Sequence, residues 1–587
     1  MATFEHREWK QGAKRLNNMV AELVSVAPAA RSISACEFSN PRDGWVFFSS
    51  TASVKGDGRA WLALGDAAED EAIILHGPGD GKTLEAMRKL PFGEYTLNLH
   101  CQSDAAVQEL VVRTIPEICY PGVGYRPNPW MSSYPRYDWD YLEGIDMTRN
   151  VNVILERNPD PTMDVELWRK QGRKVLTRGT THAVNAIPNP VTAEKILQCW
   201  TSFDGFRRPD RDGILFDELD SGSHEDTYPA YIEAVKMLAA DPAFSDKVLQ
   251  PYCVHLYNGD LSSIFTREVI KAGYKIAEER YIPTPPSEDE ARSILKYYLV
   301  ETIRRYQQLV PDFQKHLIFA LGYMTAPPEW LNTHPGVDWK VFEDMQYNVL
   351  ANAPSLWGLY GVQCYHSAYA DEEVQRWTAK LFRHYCIEGR RDMLSDDPYL
   401  LPHVQNGDFD DGTTGWNLAP AEESSLSVKS AEKYSWLQGR YPHTEQGETF
   451  LWTRRSARAP NVFSQPIKAL KPGRLYSLKM FTADYQELVK QKSVKAEHHL
   501  RIQIDGADLI DDKCFHELYP SGMAGHGYET FDRKNNLWIT YHRLVFRATD
   551  AVGKLTVSDW SSEAEPGGRI GQELIHNYVQ VQPYLED

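Results

Sequence analysis

A chain of 587 residues, 42% hydrophobic and 25% charged, exceeds one ordinary domain, and about two to four globular units are expected. A formal charge of −18 with no basic run excludes a general nucleic-acid binder, because neutralising phosphates takes clustered Lys and Arg. No apolar stretch approaches the ~20 residues that span a bilayer, so no membrane partner is expected either.

The first residues, Met1 to His6, carry no charged segment leading into an apolar one, so no secretory signal is expected within this chain. The compartment stays open between the cytoplasm and export with a signal removed. From Glu5 to Val26 the spacing of Trp9, Ala13, Leu16, Met19, Val20 and Leu23 predicts an amphipathic helix, taken as an N-terminal unit over 1–30. Over 31–115 the pattern shifts to period-two segments broken by Gly and Asp, among them Gly44-Trp45-Val46-Phe47-Phe48 and Tyr95-Thr96-Leu97-Asn98-Leu99. Short strands at this spacing predict an antiparallel β-sandwich in an accessory role.

A Pro-, Gly- and aromatic-rich stretch, with Tyr120-Pro121-Gly122 and Pro127-Asn128-Pro129-Trp130, reads as an ordered surface loop. Apolar strands then alternate with helical patterns. Strands are expected at Val151–Leu155, Lys174–Thr177, Gly213–Asp217, Leu249–Leu256, Tyr274–Glu278, His316–Leu321 and Leu356–Cys364, and helices at Thr192–Trp200, Pro229–Ala239, Leu261–Ala272 and Ser287–Gln308. Alternation of this kind builds parallel βαβ units, so the expectation over 116–395 is a (β/α)8 TIM-type barrel. Its missing eighth strand is sought between Thr181 and Asp212. An open doubly wound sheet is the competing architecture, disfavoured because no Gly-x-Gly-x-x-Gly turn follows an early strand.

Near Leu394 the rhythm returns to β, and 396–587 opens with Asn406-Gly407-Asp408-Phe409 and continues through Leu470-Lys471-Pro472-Gly473-Arg474-Leu475-Tyr476. These phrases resemble the β-jelly-roll carbohydrate-binding modules, which implies a C-terminal jelly roll, either sugar-binding or a plain support. The fold class expected is therefore multidomain, α/β plus all-β: a central barrel flanked by an N-terminal β-sandwich and a C-terminal jelly roll.

The eight cysteines are scattered, with no Cys-x-x-Cys pair or zinc spacing, and buried free thiols are the simplest account. The chemistry concentrates in Asp212-Gly213-Ile214-Leu215-Phe216-Asp217-Glu218-Leu219-Asp220, where an apolar strand runs into a cluster of carboxylates. Burying such charges is costly unless they are paired or open into a cleft, and barrel active sites lie at the carboxyl ends of the strands. Strict alternation puts Ile214, Phe216 and Glu218 on one face and Leu215 and Asp217 on the other, so Glu218 is expected to face the axis while Asp217 braces a neighbour. A second acidic strand end stands at Glu278-Glu279-Arg280, with Glu279 favoured because it shares a face with the small Ala277, and with Arg280 placed to lower the pKa of either glutamate.

The Asp-Gly-Ile-x-Phe-Asp-Glu phrase resembles the strand end of several barrel glycosidases, including the spherulin-4-like group acting on amino-sugar polymers. The resemblance implies hydrolysis of a glycosidic bond by two carboxylates. From the two acidic strand ends, Glu218 is expected as general acid/base and Glu279 or Glu278 as nucleophile or base, with Asp217 beside them, and no cofactor or metal is expected. The competing readings are that the first cluster caps a helix or binds Arg or a cation, and that the second is a surface ion pair.

Further groups at the strand ends, Arg178, His182, Asp220, His255, Tyr257, Tyr323, Gln363, Tyr365 and His366, with Trp330 in the following loop, suit the stacking and hydrogen bonding of an oligo- or polysaccharide. Trp330 serves equally well as a staple for its loop. A non-catalytic saccharide-binding barrel is the alternative function. A serine hydrolase lacks its Gly-x-Ser-x-Gly elbow, and a metal site at Asp217, Asp220, His182 and His255 lacks a close-set ligand motif. Oligomeric state is not legible.

Overall fold

The computed structural model describes residues 13–26, 35–101, 105–123, 128, 130–219, 225–254, 259–365, 367–441, 444, 446–492, 494–521 and 536–586. Eight parallel strands close into a barrel: Glu117–Val123, Val153–Glu156, Lys174–Thr180, Gly213–Leu219, Val248–Cys253, Ile276–Arg280, Leu317–Gly322 and Gly361–Tyr365, numbered here as barrel strands 1 to 8. Strand 8 pairs with both strand 7 and strand 1, which closes the sheet. On the side of strand 4 facing the helices, Phe216 packs edge-on against Trp200 and Tyr231.

Seven of the eight strands lie where the alternation predicts them. The eighth does not. It is strand 1, Glu117–Val123, inside the stretch expected to be a loop, while the interval from Thr181 to Asp212 holds helices at Thr181–Asn185, Ala193–Ser202 and Asp204–Arg207. Pro121 and Gly122 disguise the strand because proline removes a ladder donor, and the pairing with strand 2 shifts register there, between Pro121 and Val123. The helix expected over Glu5–Val26 is also corrected: its described part forms strands at Lys14–Arg15 and Ala21–Val26, the latter pairing with Ala105–Ile115. The apolar residues of helical spacing are instead anchored individually. Asn18 donates to the carbonyls of Leu350 and Ala353, and Met19 and Val20 join the barrel's core.

Ahead of the barrel stand two antiparallel sheets, of five and four strands, enclosing Phe38, Val46, Phe48, Leu62, Leu97 and Val112. Arg42 fastens them to the amino ends of the barrel strands by donating to the carbonyls of Leu359 at 3.1 Å and Ile115 at 2.9 Å. Behind it stand an antiparallel four-stranded and a seven-stranded sheet around Phe409, Trp416, Phe463, Tyr476 and Leu555. The Lys471-Pro472-Gly473 turn is held by the Tyr476 hydroxyl, which accepts from Lys471 N at 2.8 Å.

Three consecutive acids anchor the start of the last barrel helix: Asp371, its N-cap, pairs with Lys479 at 2.8 Å, Glu372 with Arg543, and Glu373 with Lys340 at 2.7 Å, all buried. Lys479 and Arg543 belong to the C-terminal sheets, so two of the three pairs tie those sheets to the barrel. The Lys479 charge, aided by Arg543, overcomes burial and holds Asp371 down at about 2. Cys36, Cys119, Cys199, Cys253, Cys364, Cys386 and Cys514 are free thiols. No helix among the described residues is long and apolar enough to cross a membrane.

Candidate active site

The Asp-Gly phrase begins at the floor of the barrel. The Asp212 carboxylate accepts from Val175 N at 2.8 Å and from Arg169, binding strand 4 to strand 3. Gly213 is obligatory, since a Cβ there would stand 2.0 Å from the Val248 carbonyl oxygen and its φ is +138°.

From Gly213 the register pairs Arg178 with Leu215 and Thr180 with Asp217, and it is Leu215 and Asp217 that turn to the axis. This reverses the expected faces, because Phe216 belongs to the helix layer. Glu218 still reaches the mouth, since the strand breaks its alternation: pairing with strand 5 shifts between Phe216 and Leu219, and Glu218 takes a left-handed φ of 61°. Such a conformation costs a non-glycine residue about 1–2 kcal/mol, and strain of this kind gathers at functional sites. The bulge therefore delivers two adjacent carboxylates to one cleft, which a regular strand cannot do.

Asp217 is buried and accepts from Arg178 Nε at 2.6 Å and from Glu218 N at 3.0 Å, so it braces strand 3 as expected while also facing the cleft. Burial works against the Arg178 charge, but Asp217 outweighs it and raises the guanidinium pKa. Glu218, half-buried, sits with Oε2 2.5 Å from His182 Nδ1 and within 3.4 Å of the Thr180 hydroxyl that donates to it. His182 lies in the short helix Thr181–Asn185, whose N-cap is Thr180.

On strand 6, Glu278 and Glu279 part. Glu278 points outward, is fully buried, pairs with Arg280 and accepts from the Tyr306 hydroxyl of the helix layer at 2.9 Å. It belongs to the barrel's packing and holds Arg280 as its ion-pair partner, while the Arg280 charge also acts, as the smallest of the influences, to lower Glu279. Glu279 points to the axis, where burial and then the Asp217 charge push it up to about 8, with the Tyr281 hydroxyl opposing. The even-numbered strands thus end inward at one level with Arg157, Asp217, Glu279 and Tyr365, the layered packing of alternate strands in such barrels.

Aromatic rings complete the mouth. Tyr365 lies parallel to Tyr281 at 5.6 Å and 5.8 Å from Tyr252, the Tyr252 and Tyr281 hydroxyls are 2.9 Å apart, and Arg157 donates to the Tyr365 hydroxyl at 3.4 Å. Burial raises the Tyr252 and Tyr281 pKa values well above the ordinary one, so both remain neutral hydrogen-bonding groups.

Three expected binding residues lie elsewhere. Tyr323 is buried on the outward side beside Gln375. Gln363 is fully buried, two residues before Tyr365 on the inner face and so below the mouth. Trp330 is no open platform: its ring is 1% exposed, packed 4.3 Å from Phe481 and 4.5 Å from Tyr578, and it staples its hairpin to the C-terminal sheets. Asp220, His255, Tyr257 and His366 fall outside the described residues.

Sequence reasoning missed Arg157, Tyr252 and Tyr281. The last two continue the inward parity of Gln250 and of Ala277-Glu279, a signal that was available once those faces were known. Among the described residues no group of three or more His, Cys, Asp or Glu side chains is arranged to hold a metal ion.

No protein-family model and no curated protein matches the chain. Among solved structures, β-glucuronidase from Bacteroides uniformis is similar over 93% of this chain and 79% of its own, at 10% identity and a TM-score of 0.29. The endo-β-N-acetylglucosaminidase from Cordyceps militaris matches 46% of this chain and 90% of its own, at 12% identity and a TM-score of 0.31. The carbohydrate-binding module TmCBM61, solved with β-1,4-galactotriose, matches 31% and 97%, at 14% identity and a TM-score of 0.16. These neighbours are carbohydrate-active proteins of low identity, and none assigns a role to a residue of this chain.

Proposed function

We propose that this protein is a glycoside hydrolase cleaving an oligo- or polysaccharide at the carboxyl-end mouth of its barrel. One observation carries the reading: Asp217 on strand 4 and Glu279 on strand 6 both turn to the barrel axis, where the Asp217 charge reaches Glu279 and Arg178 pairs with Asp217. Glu279, held up to about 8, carries its proton at neutral pH and is the general acid for the glycosidic oxygen. Asp217, steadied by the Arg178 guanidinium, supplies the opposing negative charge, attacking the anomeric carbon or activating water according to its distance from the acid. Glu218 stands at the rim beside His182, in position to orient water or a substrate hydroxyl.

This exchanges the roles expected from sequence, where Glu218 was the acid and Glu279 the nucleophile. The resemblance of the Asp212–Asp220 phrase to barrel glycosidases, and of Asn406–Phe409 to carbohydrate-binding modules, agrees with the reading.

The test is release of reducing ends from a panel of polysaccharides and of fluorophore from aryl glycosides. Glu279→Gln and Asp217→Asn should each lower kcat by about 10²–10⁴-fold. Wild-type rates in both variants refute the assignment, whereas a wild-type protein that binds glycans and releases nothing is a saccharide-binding barrel.

A further inference from the structure

The barrel mouth is not built by the barrel alone. The segment leaving the short helix Tyr434–Gln438, which packs in the C-terminal core, runs to the mouth and ends there in Tyr441. Its path is rigid. Arg440 is fully buried, pairs with both Asp408 oxygens at 2.7 Å and donates to the Thr333 carbonyl. Trp330 N donates to Gly439 O and Tyr441 N to Trp330 O, each at 2.9 Å, so the segment lies as a parallel bridge along the barrel's own hairpin. No side chain fits at Gly439, where a Cβ would meet the Pro328 carbonyl oxygen at 1.8 Å and φ is +95°.

This backbone delivers the half-buried Tyr441 ring to a point 6.4 Å from that of Tyr281, tilted by 65°. Tyr281 in turn lies parallel to Tyr365 at 5.6 Å, and all three rings are half-buried, each keeping part of its surface open. Burial, Glu329 and then Glu279 push the Tyr441 hydroxyl up to about 12, so the ring stands within electrostatic reach of the acid. The main-chain bonds at Gly439 and Tyr441 hold the segment whatever side chain position 441 carries.

We propose that Tyr441 is a substrate-positioning residue, forming with Tyr281 and Tyr365 an aromatic wall beside Glu279 against which the apolar C–H face of a saccharide ring is held. The inference rests on the glycosidase reading. It makes the C-terminal sheets part of the substrate cleft rather than a module tethered to it.

The full-length protein is assayed on the aryl glycoside it hydrolyses best from a 4-methylumbelliferyl panel. Tyr441→Ala should raise KM about tenfold, with kcat within about twofold and the unfolding midpoint unchanged, while Tyr441→Phe keeps the wild-type KM. If the Ala variant folds poorly, Tyr441→Leu, which keeps bulk without a π face, must show the same rise. An unchanged KM in Tyr441→Ala or Tyr441→Leu, alongside an inactive Glu279→Gln, overturns this inference alone. A wild-type protein that releases neither fluorophore from the panel nor reducing ends from polysaccharides overturns the glycosidase reading and this inference together.

Discussion

Replacing Glu278 by Gln should lower the barrel's unfolding temperature while leaving its chemistry on each folded molecule intact. Glu278 is fully buried and Arg280 is 6% exposed. The Arg280 charge, disfavoured by burial, is sustained by Glu278, and Arg280 also donates to the Tyr298 and Glu279 carbonyls at 3.2 and 2.8 Å. Taking the charge from Glu278 strands a guanidinium in the helix layer, which costs about 3–5 kcal/mol when one partner of a buried pair is lost. At about 2–4 °C per kcal/mol for a unit of this size, the midpoint should fall by about 6–20 °C. Differential scanning calorimetry reads the shift, and kcat/KM is measured well below the lowered midpoint. The double variant Glu278→Leu/Arg280→Met should recover most of the loss, because it removes both desolvated charges. A midpoint within about 2 °C of wild type, or lost turnover at unchanged stability, would sink the distinction drawn between the two glutamates of strand 6.

The same geometry sets the remaining expectations. Glu279 is protonated below about 8, so activity should fall as pH rises through that value, and Asp217→Asn should bring the alkaline limb to lower pH by removing the charge that helps raise it. The native state holds that proton more tightly than the unfolded chain, so the ionised group destabilises the fold increasingly as pH rises from the ordinary carboxylate value to about 8; Glu279→Gln should therefore gain about 1–3 kcal/mol in denaturant melts at about pH 9, discounted for partial exposure. Glu218→Gly relieves the left-handed φ of 61° and should be as stable as wild type or up to about 1 kcal/mol more so, yet less active; a large loss of stability would mean that Glu218 is held for packing. Trp330→Ala should cost about 3–5 kcal/mol by opening a cavity between Phe481 and Tyr578, with the product pattern on oligosaccharides unaltered; a changed pattern at full stability would return Trp330 to the substrate.

Much of the architecture was legible in the chain because hydrophobic periodicity is a local property. Apolar runs separated by helical patterns located strands 2 to 8, and the period-two stretches before them pointed to antiparallel sheets, while the C-terminal sheets were expected from the phrases at Asn406–Phe409 and Leu470–Tyr476. The same property misled where local chemistry and tertiary demand disagree. Pro121 and Gly122 look like turn residues, yet the barrel needs an eighth strand there and tolerates a register shift to have it. Leu16, Met19 and Val20 have helical spacing, but each packs against the barrel from non-helical chain, Met19 and Val20 fully buried and Leu16 partly so.

The sequence by itself determined that acidic groups gather at the ends of strands 4 and 6, since the order of residues along a strand is the order along the barrel axis. Only the tertiary structure decided which of them meet. Facing depends on register with the neighbouring strand and on one bulged residue, Glu218, so a single local φ overturned the alternation that assigned Asp217 and Glu218 to opposite sides. Partners likewise are supplied by folding: Arg178 for Asp217, Arg280 and Tyr306 for Glu278, while burial and the Asp217 charge raise Glu279. Tyr441 lay beyond any local reading, because its place beside Tyr281 is set by buried contacts of Arg440 and Trp330 between parts of the chain far apart in sequence.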